Sequence, residues 1–133
     1  GVRHIIICGH TNCGAVSGAL DIQSIKAAGL PHVREWLDHC RSAMEIVRER
    51  HGIAWNEPVD KCHLDEAIQE NVLQQVAHLR THPAVAAKLA TGKVMVHGWV
   101  YDIKTGQIDC SDDSCRDFVP FQQRYAEDIA ALD

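Results

Sequence analysis

No run of strictly apolar residues in this 133-residue chain is longer than four, Ile5-Ile6-Ile7-Cys8 being one such run. A helix that spans a bilayer needs ~20, so the sequence offers no membrane segment. Positive charge is scarce too: 13 Lys and Arg stand against 18 Asp and Glu, a formal net charge of −5. Without a basic stripe there is little to set against a phosphate backbone, which argues against nucleic-acid binding. Repeats, low-complexity tracts and linkers are missing as well. One domain over residues 1–133 is therefore expected, in keeping with ~150 residues per domain. With 46% hydrophobic and 23% charged residues, the composition is that of a globular protein rather than a disordered or fibrous one.

Two residue types are over-supplied: nine His and six Cys. The sequence has no secretory leader pattern, and its cysteines do not form the dense framework of a small secreted scaffold. A reducing compartment is expected: the cytoplasm, or a bacterial microcompartment or organelle. There a functional Cys is a ligand or nucleophile rather than half of a bridge. The chain opens on Gly1-Val2-Arg3-His4 without an initiator Met or a leading polar turn. It reads as a piece lacking its N-terminal elements.

Residues 3–8 form a β-branched run expected as a strand buried on both faces of a parallel sheet. The small, polar loop Gly9-His10-Thr11-Asn12-Cys13-Gly14 follows, then a helix over 15–20. Strand, glycine-rich loop and helix are the half-unit of an α/β fold, whose ligands sit at the carboxyl ends of strands. Val33, Trp36, Leu37, Cys40, Met44 and Val47 define one face of a helix over 33–50, led by Pro31 and ended by Gly52. A second helix over 61–80 carries Leu64, Ile68, Val72, Val76 and Leu79. A third begins at Pro83 and stops at Gly92. Residues 93–102 change period to that of a strand. The turn Lys104-Thr105-Gly106 returns a short edge strand over 107–110, and a last helix is expected over 122–132. The fold class is thus α/β, a mainly parallel sheet flanked by helices with a late antiparallel edge hairpin.

His10 and Cys13, three apart at the mouth of a strand and framed by glycines, are the sharpest chemical feature. Imidazole nitrogen and thiolate sulfur are both zinc donors, and flanking glycines could bend the loop to aim both at one ion. Gly14 would also let backbone approach an anion at the start of the next helix. As bare spacing the pair is weak, equally readable as a loop His beside a buried free Cys. Cys40 is expected in the core. His32, His39 and His51 share no helix face and are expected as surface residues. Cys62 and His63 open a helix without support for a second metal site. Trp36 and Trp99 suit packing or a subunit interface, and His97 should face a neighbouring element.

The longer string His4-Ile5-Ile6-Ile7-Cys8-Gly9-His10-Thr11-Asn12-Cys13-Gly14-Ala15 resembles the second metal motif of the β-class carbonic anhydrases, Cys-Gly-His-x-x-Cys-Gly after a hydrophobic strand. The resemblance continues through Asn71-Val72-Leu73-Gln74-Gln75-Val76 to His82-Pro83. It resumes in Val96-His97-Gly98-Trp99-Val100-Tyr101-Asp102 with Thr105-Gly106. It implies a zinc enzyme that interconverts carbon dioxide and bicarbonate, in which zinc lowers the pKa of bound water so that hydroxide attacks carbon dioxide. His10 and Cys13 are then zinc ligands, Cys8 a packing residue, and the assembly a homodimer or higher homo-oligomer. The family's first Cys ligand, with an Asp that can close the site and an Arg that pairs with it, lies in an upstream Cys-x-Asp-x-Arg motif absent from these residues. Cys110-Ser111-Asp112-Asp113-Ser114-Cys115-Arg116 echoes that motif with one residue too many. It is read as a solvated loop, with Cys110 and Cys115 near enough in sequence to pair if oxidised. Two other functions stay open: a carbonic-anhydrase-like structural or assembly module without catalysis, and a zinc-binding redox or regulatory protein.

Overall fold

β-Branched side chains at Ile5, Ile6 and Ile7 put the start of the chain into an extended strand, β1 (His4–His10), in a computed structural model that describes residues 1–112, 114 and 116–132. β1 pairs in parallel with β2 (Met95–Tyr101), Ile7 opposite Gly98 and His10 opposite Tyr101. After β2 the Asp102 carboxylate accepts the N–H of Lys104 at 2.8 Å and of Thr105 at 3.3 Å, and Gly106 takes φ +75°. That turn leads into β3 (Ile108–Ser111), antiparallel to β2 and to β4 (Phe118–Pro120). With the order β1-β2-β3-β4, the fold is α/β around a mixed sheet, parallel at its first pairing and antiparallel at the next two. The expected hairpin is present, but β3 is interior and β4 holds the edge.

Between β1 and β2 run α1 (Gly14–Leu20), α2 (Ile22–Ala27), α3 (Pro31–Leu37), α4 (Arg41–His51), α5 (Leu64–Thr81) and α6 (Pro83–Leu89); α7 (Phe121–Arg124) and α8 (Ala126–Ala130) follow β4. The expected stripe on α5 buries Ile68, Val72 and Val76, with Leu64 and Leu79 packed at its ends. α5 lies on the sheet face carrying Ile5, Ile7, Val96 and Val100, and α1 and α4 pack on its other side. None of these helices is long and apolar enough to cross a membrane.

Two strand glycines let α5 come this close. A Cβ at Gly9 would meet Val72 Cγ2 at 2.7 Å, and one at Gly98 would meet Ser111 Oγ at 2.9 Å and Val72 Cγ1 at 3.1 Å. Forcing a methyl into such a space costs about 1–3 kcal/mol. Gly98→Ala should therefore lower the urea midpoint at an unchanged m-value; a midpoint equal to wild type would mean that the helix is free to move off the sheet.

The helix expected over 33–50 is interrupted by a 3₁₀ turn at Asp38–Cys40. Three residues per turn instead of 3.6 shifts the phase of the apolar stripe. Leu37, Met44 and Val47 are buried, whereas Val33 and Trp36 are 43% and 70% exposed. Pro31 opens α3 and Gly52 closes α4 at φ +63°, as their residue types suggest. The expected C-terminal helix is likewise divided at Tyr125, whose φ of −114° leaves the helical range. Tyr125 breaks ranks because its hydroxyl accepts a hydrogen bond from Trp99 Nε1 at 3.1 Å and lies 2.8 Å from His97 Nδ1.

β1 departs from the expectation of burial on both faces. Ile5, Ile7 and Gly9 are half-buried toward α5, but His4, Ile6, Cys8 and His10 are exposed. Phe121 and Tyr125 cover Trp99 on that second face, over β2 rather than β1.

Candidate metal centre

The loop after β1 is stitched to the end of β2. Thr11 donates its N–H to the Tyr101 carbonyl at 2.9 Å, and Thr11 Oγ1 accepts the Ile103 N–H at 3.1 Å. The chain then reverses at Asn12, whose φ of +57° is left-handed. Asn tolerates that region better than most residues. The bend thus comes from Asn12, not from the flanking glycines: Gly9 serves the packing of α5, and a Cβ at Gly14 would meet nothing within 4 Å. Cys13 is the N-cap of α1, its carbonyl accepting the Ser17 N–H at 2.9 Å. α1 has only seven residues, too short to build an anion site on its N-terminus.

His10 and Cys13 thereby stand at the carboxyl end of the parallel pair. His10 is exposed, and its Nδ1 lies 2.9 Å from the Thr11 carbonyl oxygen. A ring nitrogen facing a carbonyl carries the proton, so Nε2 keeps its lone pair for a metal, the usual way a second contact orients a ligating His. Cys13 is half-buried beside the core and its thiol is free of any bridge. One imidazole and one thiol fit zinc by donor chemistry. They are two donors, and among the described residues no other His, Cys, Asp or Glu forms a three-donor group with them.

The other cysteines take different surroundings. Cys8 was expected to pack but is exposed on the open sheet face. Cys40 sits half-buried against the core, its thiol pushed up by burial and by nearby Cys13. Cys110 is not in a solvated loop: it is fully buried in β3, and burial pushes its pKa up to about 11. Cys115, its suggested partner, lies outside the described residues. Because burial raises the folded pKa of Cys110 above that of a free thiol, the native state holds this proton more tightly than the unfolded chain. Its stability contribution is complete below pH ~9 and is lost as pH rises toward ~11. In native protein at pH 8, Cys8 and Cys62 should react with a thiol reagent within minutes while Cys110 stays unmodified; prompt labelling of Cys110 would show that β3 opens.

A cleft of about 400 Å³, lined by Lys26, Arg34, Arg41, Arg48 and Trp55 among others, contains no residue of the His10 loop. A different cluster does form where sequence spacing gave no support. His51, expected as a lone surface residue, and His63 converge on Glu66.

The model of the carbonic anhydrase family matches residues 1–108. The structure also superposes on the β-carbonic anhydrase CcaA with a TM-score of 0.78 at 33% identity, over 89% of this chain and 55% of that one. The chain belongs to the β-carbonic anhydrases. The carbonic anhydrase of Pseudomonas aeruginosa is 39% identical over 119 residues, and that of Synechocystis sp. 34% identical over 123. The matches cover 90% and 92% of this chain but 51% and 43% of those proteins. The chain thus spans about half the length of the curated relatives it matches. β4, α7 and α8 lie beyond the family match, so the Tyr125 contacts to Trp99 and His97 join a strand inside the matched region to the residue between α7 and α8, outside it.

Proposed function

We propose that this chain is the C-terminal part of a zinc-dependent β-carbonic anhydrase, catalysing the reversible hydration of carbon dioxide to bicarbonate, and that His10 and Cys13 are two of the zinc ligands. The observation that carries the reading is the His10 ring, held at Nδ1 by the Thr11 carbonyl so that Nε2 is available on the loop that also ends in Cys13. Membership of the family supports the reaction, and the donor pair supports the metal. Zinc bound there supplies a Lewis acid that makes water nucleophilic near neutral pH. The chain's own part is to present one nitrogen and one sulfur from a loop fixed at both ends, Thr11 on β2 and Cys13 on α1. Two donors fall short of the three protein ligands of an open catalytic zinc site. The remaining donor is assigned to residues upstream of Gly1, in keeping with the half-length match.

A homo-oligomer fits the surface. Ile6 and Met95 are 44% and 49% exposed on the open sheet face, and among the described residues no strand pairs with the outer edge of β1, features that proteins ordinarily cover. A cytoplasmic setting agrees with the absence of any bridge among the five described cysteines. Stopped-flow carbon dioxide hydration decides the functional reading: a form extended upstream should be active and residues 1–133 alone should not. A zinc-loaded extended form without activity would overturn it.

A further inference from the structure

The junction of α4 and α5 gathers three metal-capable side chains far in sequence from the His10 loop. His51 closes α4, His63 ends the 3₁₀ turn Lys61–His63, and Glu66 lies in the first turn of α5. Their donor atoms all lie within 4.8 Å of one another. His51 Nε2 is 2.6 Å and His63 Nδ1 is 3.7 Å from Glu66 Oε2, and the two imidazoles approach to 4.0 Å between centroids. Donors around a tetrahedral zinc ion stand about 3.3 Å apart, given bonds of ~2.0–2.1 Å. Side-chain adjustments on the order of 1 Å would seat the ion, which would take the place of the His51–Glu66 hydrogen bond.

The surroundings are those of a supported ligand set. Arg50 Nη1 holds the other Glu66 oxygen at 2.6 Å, while its Nη2 donates to buried Glu70 at 3.1 Å. Gln74 in turn donates to Glu70 Oε1 at 2.9 Å. A ligating carboxylate oriented by further hydrogen bonds is the arrangement metal sites use to fix geometry. Burial works against the charge of Glu66, but the hydrogen bonds from Arg50 and His51 outweigh it and leave the carboxyl below its usual range. With both imidazoles neutral, Glu66, Glu70 and Arg50 sum to one negative charge, which favours a dication. The side chains of His51, His63 and Glu66 keep 34%, 23% and 26% of their exposure, so an ion can reach them from solvent.

We propose that His51, His63 and Glu66 form a second divalent transition-metal site, taking zinc or a chemically similar ion, that ties the end of α4 to the start of α5 across the 52–60 loop. Two imidazoles and one carboxylate suit zinc, cobalt or nickel rather than calcium or magnesium, which prefer all-oxygen shells. The site contains no sulfur, and that separates it from the Cys13 centre.

Cobalt(II) titration of protein carrying a single equivalent of zinc, enough for the Cys13 centre alone, provides the test. One further equivalent should bind with d–d absorption bands and no sulfur-to-cobalt charge-transfer band. His51→Gln and His63→Gln should each weaken it by more than the roughly 10–100-fold that loss of an outer contact costs. In unmutated protein, the same cobalt should broaden the ring proton resonances of His51 and His63 before those of His32, His39 and His78. Unchanged affinity in both variants, or broadening that begins at other histidines, would overturn the proposal and leave an ion-pair network closed by protons alone.

Discussion

His10→Ala, made in the whole protein, should lower kcat/KM for carbon dioxide hydration by ~10³-fold or more and release the zinc. A metal ion contributes several kcal/mol to such a reaction, and each 1.36 kcal/mol is a factor of ten. The exposed His10 ring contributes little packing, and the Thr11 contacts that fix the loop use Thr11's own backbone and hydroxyl. The variant should therefore fold as wild type does, with the same circular dichroism and with the urea midpoint of metal-free wild type, since only the stabilisation by bound zinc is lost. Cys13→Ser should behave alike, since it keeps the shape of the N-cap but exchanges a thiolate for a hydroxyl. His39→Ala serves as the control: His39 lies on the 3₁₀ turn with its ring against Trp36, and its loss should leave the rate within twofold. Equal damage from all three substitutions would mean that the effect is structural.

The largest effect on stability is expected at Leu20. Its side chain is 1% exposed where α1 meets the core, and its carbonyl accepts the Val59 N–H at 3.1 Å, anchoring the loop that follows α4. Leu20→Ala removes buried methyl groups and leaves a cavity in the core cluster that Leu20 shares with Val16, Leu37 and Val47. Such truncations cost about 2–5 kcal/mol, equivalent to a fall in Tm on the order of 10 °C for a chain of this size. Urea unfolding should show the full loss with an unchanged slope. Leu132→Ala, at a position 86% exposed, should change nothing measurable. A Leu20 variant as stable as wild type would contradict the packing described for α1.

What the sequence reveals depends on how local the governing physics is. The α5 stripe, the Pro31 and Gly52 boundaries and the β2–β3 hairpin are each written in residues a few positions apart, and each forms where expected. The break at Asp38–Cys40 leaves no such mark, because Val33 and Trp36 keep perfect helical spacing while the backbone changes phase beneath them. β4 is only three residues long, and it is a strand because Ser111 and Asp109 offer it a partner, not because Phe118-Val119-Pro120 demands one. At the candidate metal centre the donors are legible as residue types, but the reason for the glycines is not. Gly9 answers to Val72, more than sixty positions away, and the bend belongs to Asn12. The His51–His63–Glu66 cluster escapes sequence reasoning for a similar reason: a nine-residue loop has to fold back before its members meet.

In the proposed centre, Cys13 and His10 bind zinc together. X-ray absorption at the zinc edge of the whole protein addresses it directly, compared between wild type and Cys13→Ser at equal zinc loading. Wild type should show sulfur at ~2.3 Å and nitrogen near ~2.0 Å, and the variant should lose one sulfur per high-affinity zinc. A sulfur shell that is the same with and without the Cys13 thiol would contradict the account.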